Sequence, residues 1–430
     1  MAFMKQTSRI TVLLLTAGCF LAFFVFGFTD NLKGATLPSM LAEMRINPGV
    51  GGNVFFGEYF GFLVATLITG ILADKFGLKL VVVLAGICMF LGVGGYSAFT
   101  SLWLLSASLF VLGLGLGALE LGPNAIIVSL HHERKGLFLN LMAVLHGLGS
   151  MIAPLVAGWL LSLAVSWRTI YRWDLLLIAA FILVFLFLRF PHSEEKTSLD
   201  FRQVSRVAFK GRLPWFYAAI GFYVAAEIGT SSWLVTFLQR ERGLDVTASS
   251  QALSLFFAML MLGRLLGGFV VQRIGYLRSL LIASLGAVIS LALGLFGPPS
   301  LSLLLPLTGF FFSIIFPTIT AAVTDTHTEN VNTVLGVLYT FAGVGALIGP
   351  WLVGWGIDLL DQRTGFGLNL LLSLLTLVSF YVLWKGKPHV ETASLGITFD
   401  RAHQPRPHPA AQRLQTDPTA GRRFEEPILR

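Results

Sequence analysis

Apolar runs of twenty or more residues recur along the chain, divided by short polar stretches. A helix needs about 20 mostly apolar residues to cross the hydrocarbon core of a bilayer. Twelve stretches qualify, near 11–40, 53–72, 80–99, 103–129, 138–163, 174–190, 214–238, 250–271, 279–297, 302–325, 332–356 and 366–384. Gly and Pro are scattered through them, as membrane helices tolerate. The pattern predicts an all-α integral membrane protein with twelve transmembrane helices. The opening MAFMKQTSRI and the run after it look like a leader. That run continues past Phe28, lacks a small-residue cleavage pattern and carries Asp30 and Asn31, so it is expected to stay as the first span.

Composition agrees. Of 430 residues, 55% are hydrophobic and 12% charged, against about 25% charged in a typical soluble domain. Mean hydropathy is +0.78. Disordered, collagen-like and disulfide-scaffold chains are excluded. Cys19 and Cys88 sit inside apolar runs and suggest neither a disulfide nor a metal site. The net charge of +8 does not call for nucleic acid, because basic residues also set membrane orientation. An even number of spans puts both termini on one side. That side, with the long middle loop and the tail, holds 22 of the 30 basic residues, and the other side holds 6. The expected location is a multi-pass plasma membrane, a bacterial inner membrane, with both termini cytoplasmic. The tail from about 387, with PRPHPAAQR and GRRFEEP, reads as disordered.

The two halves of the chain repeat weakly. Asn140–Trp159, NLMAVLHGLGSMIAPLVAGW, and Gly336–Trp355, GVLYTFAGVGALIGPWLVGW, agree at six of twenty positions. Among these, Gly149 pairs with Gly345 and Pro154 with Pro350, both at an offset of 196. Gly70–Gly77, GILADKFG, pairs with Gly268–Gly275, GFVVQRIG, at an offset of 198, and Pro123 with Pro317 at 194. Expected boundaries are 1–190 for a first six-helix half, 191–213 for a linker, 214–386 for a second half and 387–430 for the tail.

Two six-span halves joined by a long loop resemble the major facilitator superfamily. The likeness is sharpest at Gly70–Lys79, GILADKFGLK, which is similar to that superfamily's signature between its second and third helices. The resemblance implies two pseudo-symmetric halves and helices 1, 4, 7 and 10 around a central cavity. Asp74, with Lys75 and the second copy's Arg273, would then form a gating latch; Gln272 replaces the acid in that second copy. Glu120-Leu-Gly-Pro-Asn124 and the segment Leu139-Asn140-Leu141 to His146-Gly147 resemble the fucose–galactose–glucose:proton symporter family. Here the chain departs from that family, which has an Asp where this chain has Gly34, and Asn at the positions of Asp30 and His146.

Seven ionisable side chains fall within the spans: Asp30, Lys33, Glu58, Glu120, His146, Glu227 and Arg264. Each costs roughly 2.5–3.5 kcal/mol at mid-bilayer on the lenient insertion scale, so each is a functional candidate by default. Glu120, Asp30 and Glu227 are the candidates for proton coupling, with Glu120 first. Asn124 lies one turn from Glu120 on the same face. Asn124, His146, Tyr223, Trp233 and Asp30 are the candidates for substrate binding, since Tyr and Trp offer a flat face and a donor to a sugar-like ligand. Lys33, one turn from Asp30, also suits a local ion pair. Arg264 is expected in a gating or structural ion pair, and Glu58, near the end of its span, in water. His131-His132-Glu133 lies in a loop and is read as solvated rather than as a metal site.

No Walker A sequence and no nucleophile–base motif occurs, so neither direct ATP drive nor enzyme activity is expected. No cofactor or metal is expected. The reading is a secondary transporter moving a small solute by alternating access, with proton-coupled uptake of a sugar-like substrate. The partners are that substrate, protons and the lipid bilayer, with no nucleic acid, and the chain is expected to act as a monomer. Two alternatives stay open: a proton-driven exporter of a drug-like or amphiphilic compound, and a non-transporting receptor or lipid-handling protein on the same scaffold.

Overall fold

A computed structural model describes residues 9–188, 190, 209, 211–326 and 331–386. The expected tail lies outside these residues, as does the expected linker except for 209 and 211–213. Twelve helices long and apolar enough to cross a membrane are present among the described residues. They are α1 (Arg9–Met44), α2 (Pro48–Phe76), α3 (Leu78–Ala98), α4 (Leu102–Leu130), α5 (Lys135–Ser162) and α6 (Trp167–Phe187). The second six are α7 (Leu213–Arg242), α8 (Val246–Ile274), α9 (Tyr276–Phe296), α10 (Pro299–Asp325), α11 (Val331–Leu359) and α12 (Gln362–Lys385). Hydrocarbon offers the backbone no partners, so an apolar run of this length satisfies its N–H and C=O groups internally as helix.

Prolines mark where that rule bends. α10 begins as a 3-10 turn, Pro299–Leu304, then runs helically over Thr308–Phe312 and again over Ile315–Thr326. Pro317 has no N–H to give the carbonyl of Ser313, and the helix opens there. The sixth span corrects the expectation. It starts at Trp167, not near 174, with the Ser166 hydroxyl accepting the Arg168 N–H at 3.3 Å. Arg168 and Arg172, expected in a loop, sit in its first turns.

Packing reproduces the internal repeat. In the first half α5 lies on α1, α4 on α2 and α3, and α6 on α3. In the second half α11 lies on α7, α10 on α8, and α12 on α9. The aligned glycines make equivalent contacts. A Cβ on Gly149 would stand 2.3 Å from the carbonyl oxygen of Phe24 in α1, and one on Gly345 2.2 Å from that of Gly221 in α7. The α2–α3 and α8–α9 turns also match, with Gly77 at φ 84° and Gly275 at φ 82°.

The halves touch through α1 with α7 and α8, α2 with α11, and α5 with α8. These contacts gather toward the end opposite the Gly77 and Gly275 turns. There the Gly49 N–H donates to Asp358 at 2.8 Å, and Asn53 Oδ1 accepts the indole N–H of Trp351 at 2.8 Å and of Trp355 at 3.0 Å. Ser254 donates to the Met151 carbonyl at 2.6 Å, and Ser250 sits against Gly158. α4 and α10 pack within their own halves. The bundle is thus closed at one end and parted at the end that carries Asp74 and Arg273.

Candidate functional site

Arg264 of α8 is the charge on which the parted region centres. It is exposed, and among the described residues it makes no hydrogen bond and no ion pair within 4 Å. The turn before it places Met261 against Gly147 of α5. Its charge reaches Glu120 on α4, His146 on α5, and Tyr223 and Glu227 on α7. Groups from both halves therefore lie within electrostatic reach of one cation.

Each group is positioned differently. Glu120 is half-buried, and its side chain has no hydrogen-bond partner among the described residues, while its carbonyl takes the Asn124 amide at 2.6 Å. Asn124 is half-buried one turn on. The half-buried His146 has its ring edge-on to Phe26 at 4.8 Å and Phe23 at 6.3 Å. Its carbonyl lies beside Gly27, where any side chain would clash at 2.1 Å. Tyr223 is buried and donates its hydroxyl to Glu227, so it orients that carboxylate instead of facing open space. Trp233 is buried too, with its indole N–H given to the Pro350 carbonyl at 2.9 Å. That donor is spent on packing α7 against α11.

A second polar group lies deeper, near the closed end. Lys33 Nζ is 2.5 Å from Asp30 and 2.6 Å from Glu58, and stands over the Tyr59 ring at 4.5 Å. The pairing of Asp30 with Lys33 was legible one turn apart in α1. Glu58 was not: it is 2% exposed, not in water. The cause is the close crossing of α2 and α4. A Cβ on Gly113 would lie 1.9 Å from the Glu58 carbonyl oxygen, and one on Gly61 2.1 Å from that of Phe110. These glycines let α4 cover the Glu58 side of α2. Asn31, beside the cluster, donates to Ser150 on α5 at 2.9 Å.

Two further polar residues escaped the sequence reading. Asp174 is 3% exposed and accepts the Thr29 hydroxyl at 3.2 Å. It stood at the misplaced start of the sixth span. Tyr339 on α11 stacks on Phe316 at 5.7 Å and lies within electrostatic reach of Glu120 across the halves. Nothing near it in sequence marks it.

The expected latch is not assembled here. Asp74, Lys75 and Arg273 are all exposed, and none makes an ion pair within 4 Å among the described residues. His131 outside the spans stacks on Phe138 at 3.6 Å and shares a 2.8 Å hydrogen bond with Thr16. Partial burial draws its ring below the usual histidine range.

The family model described as Major Facilitator Superfamily matches residues 19–324 and 237–418. The chain belongs to the Major Facilitator Superfamily. It is 27% identical over 395 residues to a putative glucose/galactose transporter of Helicobacter pylori, covering 84% of this chain and 93% of that one. It is 23% identical over 354 residues to the cis,cis-muconate transport protein of Acinetobacter baylyi, covering 78% and 85%. Against Bypass of stop codon protein 6 of Saccharomyces cerevisiae it is 26% identical over 288 residues, and the match spans 56% of that relative's length. Among solved structures, the nucleoside transporter NupG superposes with TM-score 0.72 at 17% identity, over 88% of this chain and all of that one. The fucose transporter FucP in its outward conformation gives 0.61 at 20%, over 86% and 99%. The D-xylose-proton symporter gives 0.70 at 13%, over 89% and 98%. This member of the superfamily is a multi-pass membrane transporter and not an enzyme.

Proposed function

We propose that this transporter takes up a small hydroxyl-bearing solute together with a proton, by alternating access between the two halves. One observation carries the reading. Glu120 and Glu227, one from each half, lie within electrostatic reach of the same Arg264, and neither has an ion-pair partner within 4 Å among the described residues. Two carboxylates sharing one cation leave one negative charge, and a proton is the smallest ligand that removes it. Glu120 is the proposed coupling residue, and Asn124, His146 and Tyr339 offer a neutral polyol donors, acceptors and a ring face. Tyr223 supports Glu227, and Asp74, Lys75 and Arg273 close the parted end in the opposite state. The excess of basic residues at that end supports a cytoplasmic placement in an inner membrane, and the parted end is then inward-facing. Relatives named for glucose/galactose, and structural neighbours named for fucose, D-xylose and nucleosides, support a hydroxylated solute.

The test is proton movement in de-energised cells expressing the chain, challenged with sugars, polyols and nucleosides, beside Glu120→Gln. Alkalinisation of the medium by one solute, lost in the variant, is the expected result. Acidification, or a response that the variant retains, overturns symport through Glu120.

A further inference from the structure

Asp30, Lys33 and Glu58 place two carboxylates and one ammonium in the interior of the first half. Lys33 and Glu58 have 7% and 2% of their side chains exposed, and Asp30 has 20%. One oxygen of each carboxylate contacts the same Nζ. Glu58 Oε2, the atom turned away from Lys33, is buried with no hydrogen-bond partner among the described residues. The fully ionised cluster carries one negative charge, and among the described residues no second cation contacts it.

The groups that face the cluster do not supply one. Tyr59 of α2 lies beneath the ammonium. Tyr96 of α3 and Tyr171 of α6 lie within electrostatic reach, as does His146 of α5 from the side of Asp30. Arg168 of α6 is committed to Glu43 at 2.6 Å. α4 crosses α2 closely at Gly113, against the Glu58 backbone. From the second half, α7 and α8 bring Ser231, Ser232 and Phe257 to a small pocket beside Lys33 and Asn31.

That pocket lies at the contact between halves. A Cβ on Gly34, one residue past Lys33, would stand 2.7 Å from the Ser231 carbonyl oxygen of α7. Closing α1 onto α7 thus covers the Lys33 side of the cluster and leaves Asp30 its most exposed member. An unbalanced charge sealed in a low-dielectric interior is costly. Water reaching the cluster when α1 and α7 separate reduces that cost.

We infer that the Asp30–Lys33–Glu58 cluster is a proton-binding site separate from Glu120, which takes up one proton when the α1–α7 end closes. The proton comes from water at the half-open contact, adds to one oxygen of the Asp30–Glu58 carboxylate pair and brings the cluster from one negative charge to none. Asp30, the least buried member, is where it enters and leaves. The inference rests on the alternating-access reading but not on the identity of the solute or on Glu120.

The experiment uses the full chain in lipid nanodiscs without any solute. Cys19 and Cys88 are replaced by Ala, and spin labels are placed at exposed Arg45 and Arg240, which flank the closed end on opposite halves. The expected result is a wild-type distance distribution that moves from closed toward open as pH rises, and a Glu58→Gln chain that stays closed at every pH. Asp30→Asn removes the same charge and must behave like Glu58→Gln. Infrared difference spectra between acid and alkaline buffer give a direct readout, a protonated-carboxyl band in the wild type that is lost in both variants. If the wild-type distances ignore pH, or both variants titrate like the wild type, the inference is wrong. Loss of solute-driven alkalinisation in Glu120→Gln leaves this result untouched, and the reverse holds, so the two readings fail separately.

Discussion

Lys33 of α1 and Glu58 of α2 meet at 2.6 Å inside the bundle, with 7% and 2% of their side chains exposed. Removing one partner of a buried pair strands the other, at a cost of about 3–5 kcal/mol. Lys33→Met strands two carboxylates and is expected to lower the unfolding midpoint of the purified protein strongly. Adding Glu58→Gln to it removes one of those charges and is expected to recover part of the loss. A single variant as stable as the wild type, or a double variant worse than the single, would show that the pair does not hold α1 to α2.

The glycine that makes room for this pair is a second point of sensitivity. A Cβ on Gly113 meets the Glu58 carbonyl oxygen at 1.9 Å, whereas one on Gly70 meets nothing within 4 Å among the described residues. Gly113→Ala must push α4 off α2, and overpacking of this kind costs roughly 1–3 kcal/mol. Gly70→Ala lies in open space within α2, where Ala is favoured over Gly by about 0.5–1 kcal/mol. The two substitutions are therefore expected to move thermal stability in opposite directions. Equal effects would argue against the close crossing.

Asn53 joins the halves by accepting two indole N–H groups from α11. Asn53→Leu removes both bonds while leaving each half intact. At about 1 kcal/mol per neutral hydrogen bond, the closed end should open some 5- to 30-fold more often. A Ser250→Cys probe, buried against Gly158 in the closed end, reads this as a faster rate of alkylation. An unchanged rate would mean that the tryptophans hold the end shut by packing alone.

Outside the membrane, Asp361 caps α12. Its carboxylate accepts the backbone N–H groups of Arg363 at 2.9 Å and Thr364 at 3.0 Å, and the Thr364 hydroxyl at 2.6 Å. The Thr364 hydroxyl and N–H hold the Asp361 carboxyl below the usual aspartate range. A depressed folded-state value gives stability that is complete above the unfolded value, about 3.9, and lost as pH falls through the folded one. The gap in unfolding midpoint between wild type and Asp361→Ala should be full at neutral pH and close only in acid. A gap that widens in acid contradicts the cap.

The helices were legible because hydrocarbon leaves an apolar run of twenty residues few alternatives, and all twelve runs became helices. The sixth was misplaced because Arg168 and Arg172 read as loop. In the fold Arg168 reaches out to Glu43 and lies over the Trp167 ring at 4.4 Å, which lets the helix begin early. Asp174 was hidden by the same error. Glu58 was misread for another reason. Sequence gives a residue's depth along its helix, but the neighbour covering that face is set by tertiary packing, here α4 arriving over Gly113. Trp233 had the chemistry of a ligand-binding side chain, and only the fold shows its N–H spent on Pro350. Tyr339 lies within electrostatic reach of Glu120 from 219 residues away, a distance no local pattern spans.

The repeat was the most informative pattern in the sequence, and it makes a paired prediction. Gly77 (φ 84°, ψ 154°) and Gly275 (φ 82°, ψ 164°) close α2 and α8 with nearly the same backbone, their N–H groups returning to Ala73 at 2.8 Å and Val271 at 2.9 Å. This region of backbone space is essentially restricted to glycine, and forcing another residue into it costs of order 1–3 kcal/mol. Among the described residues no atom lies within 4 Å of a Cβ at either position, so the penalty is backbone strain without a clash. Gly77→Ala and Gly275→Ala are therefore expected to destabilise the protein to a similar extent. The two sites lie in different halves and share no contact, so the double variant should show the sum of the two losses. Unequal losses would mean that the turns, alike in backbone, carry different loads. A double loss well short of the sum would mean that the two halves do not unfold as one unit.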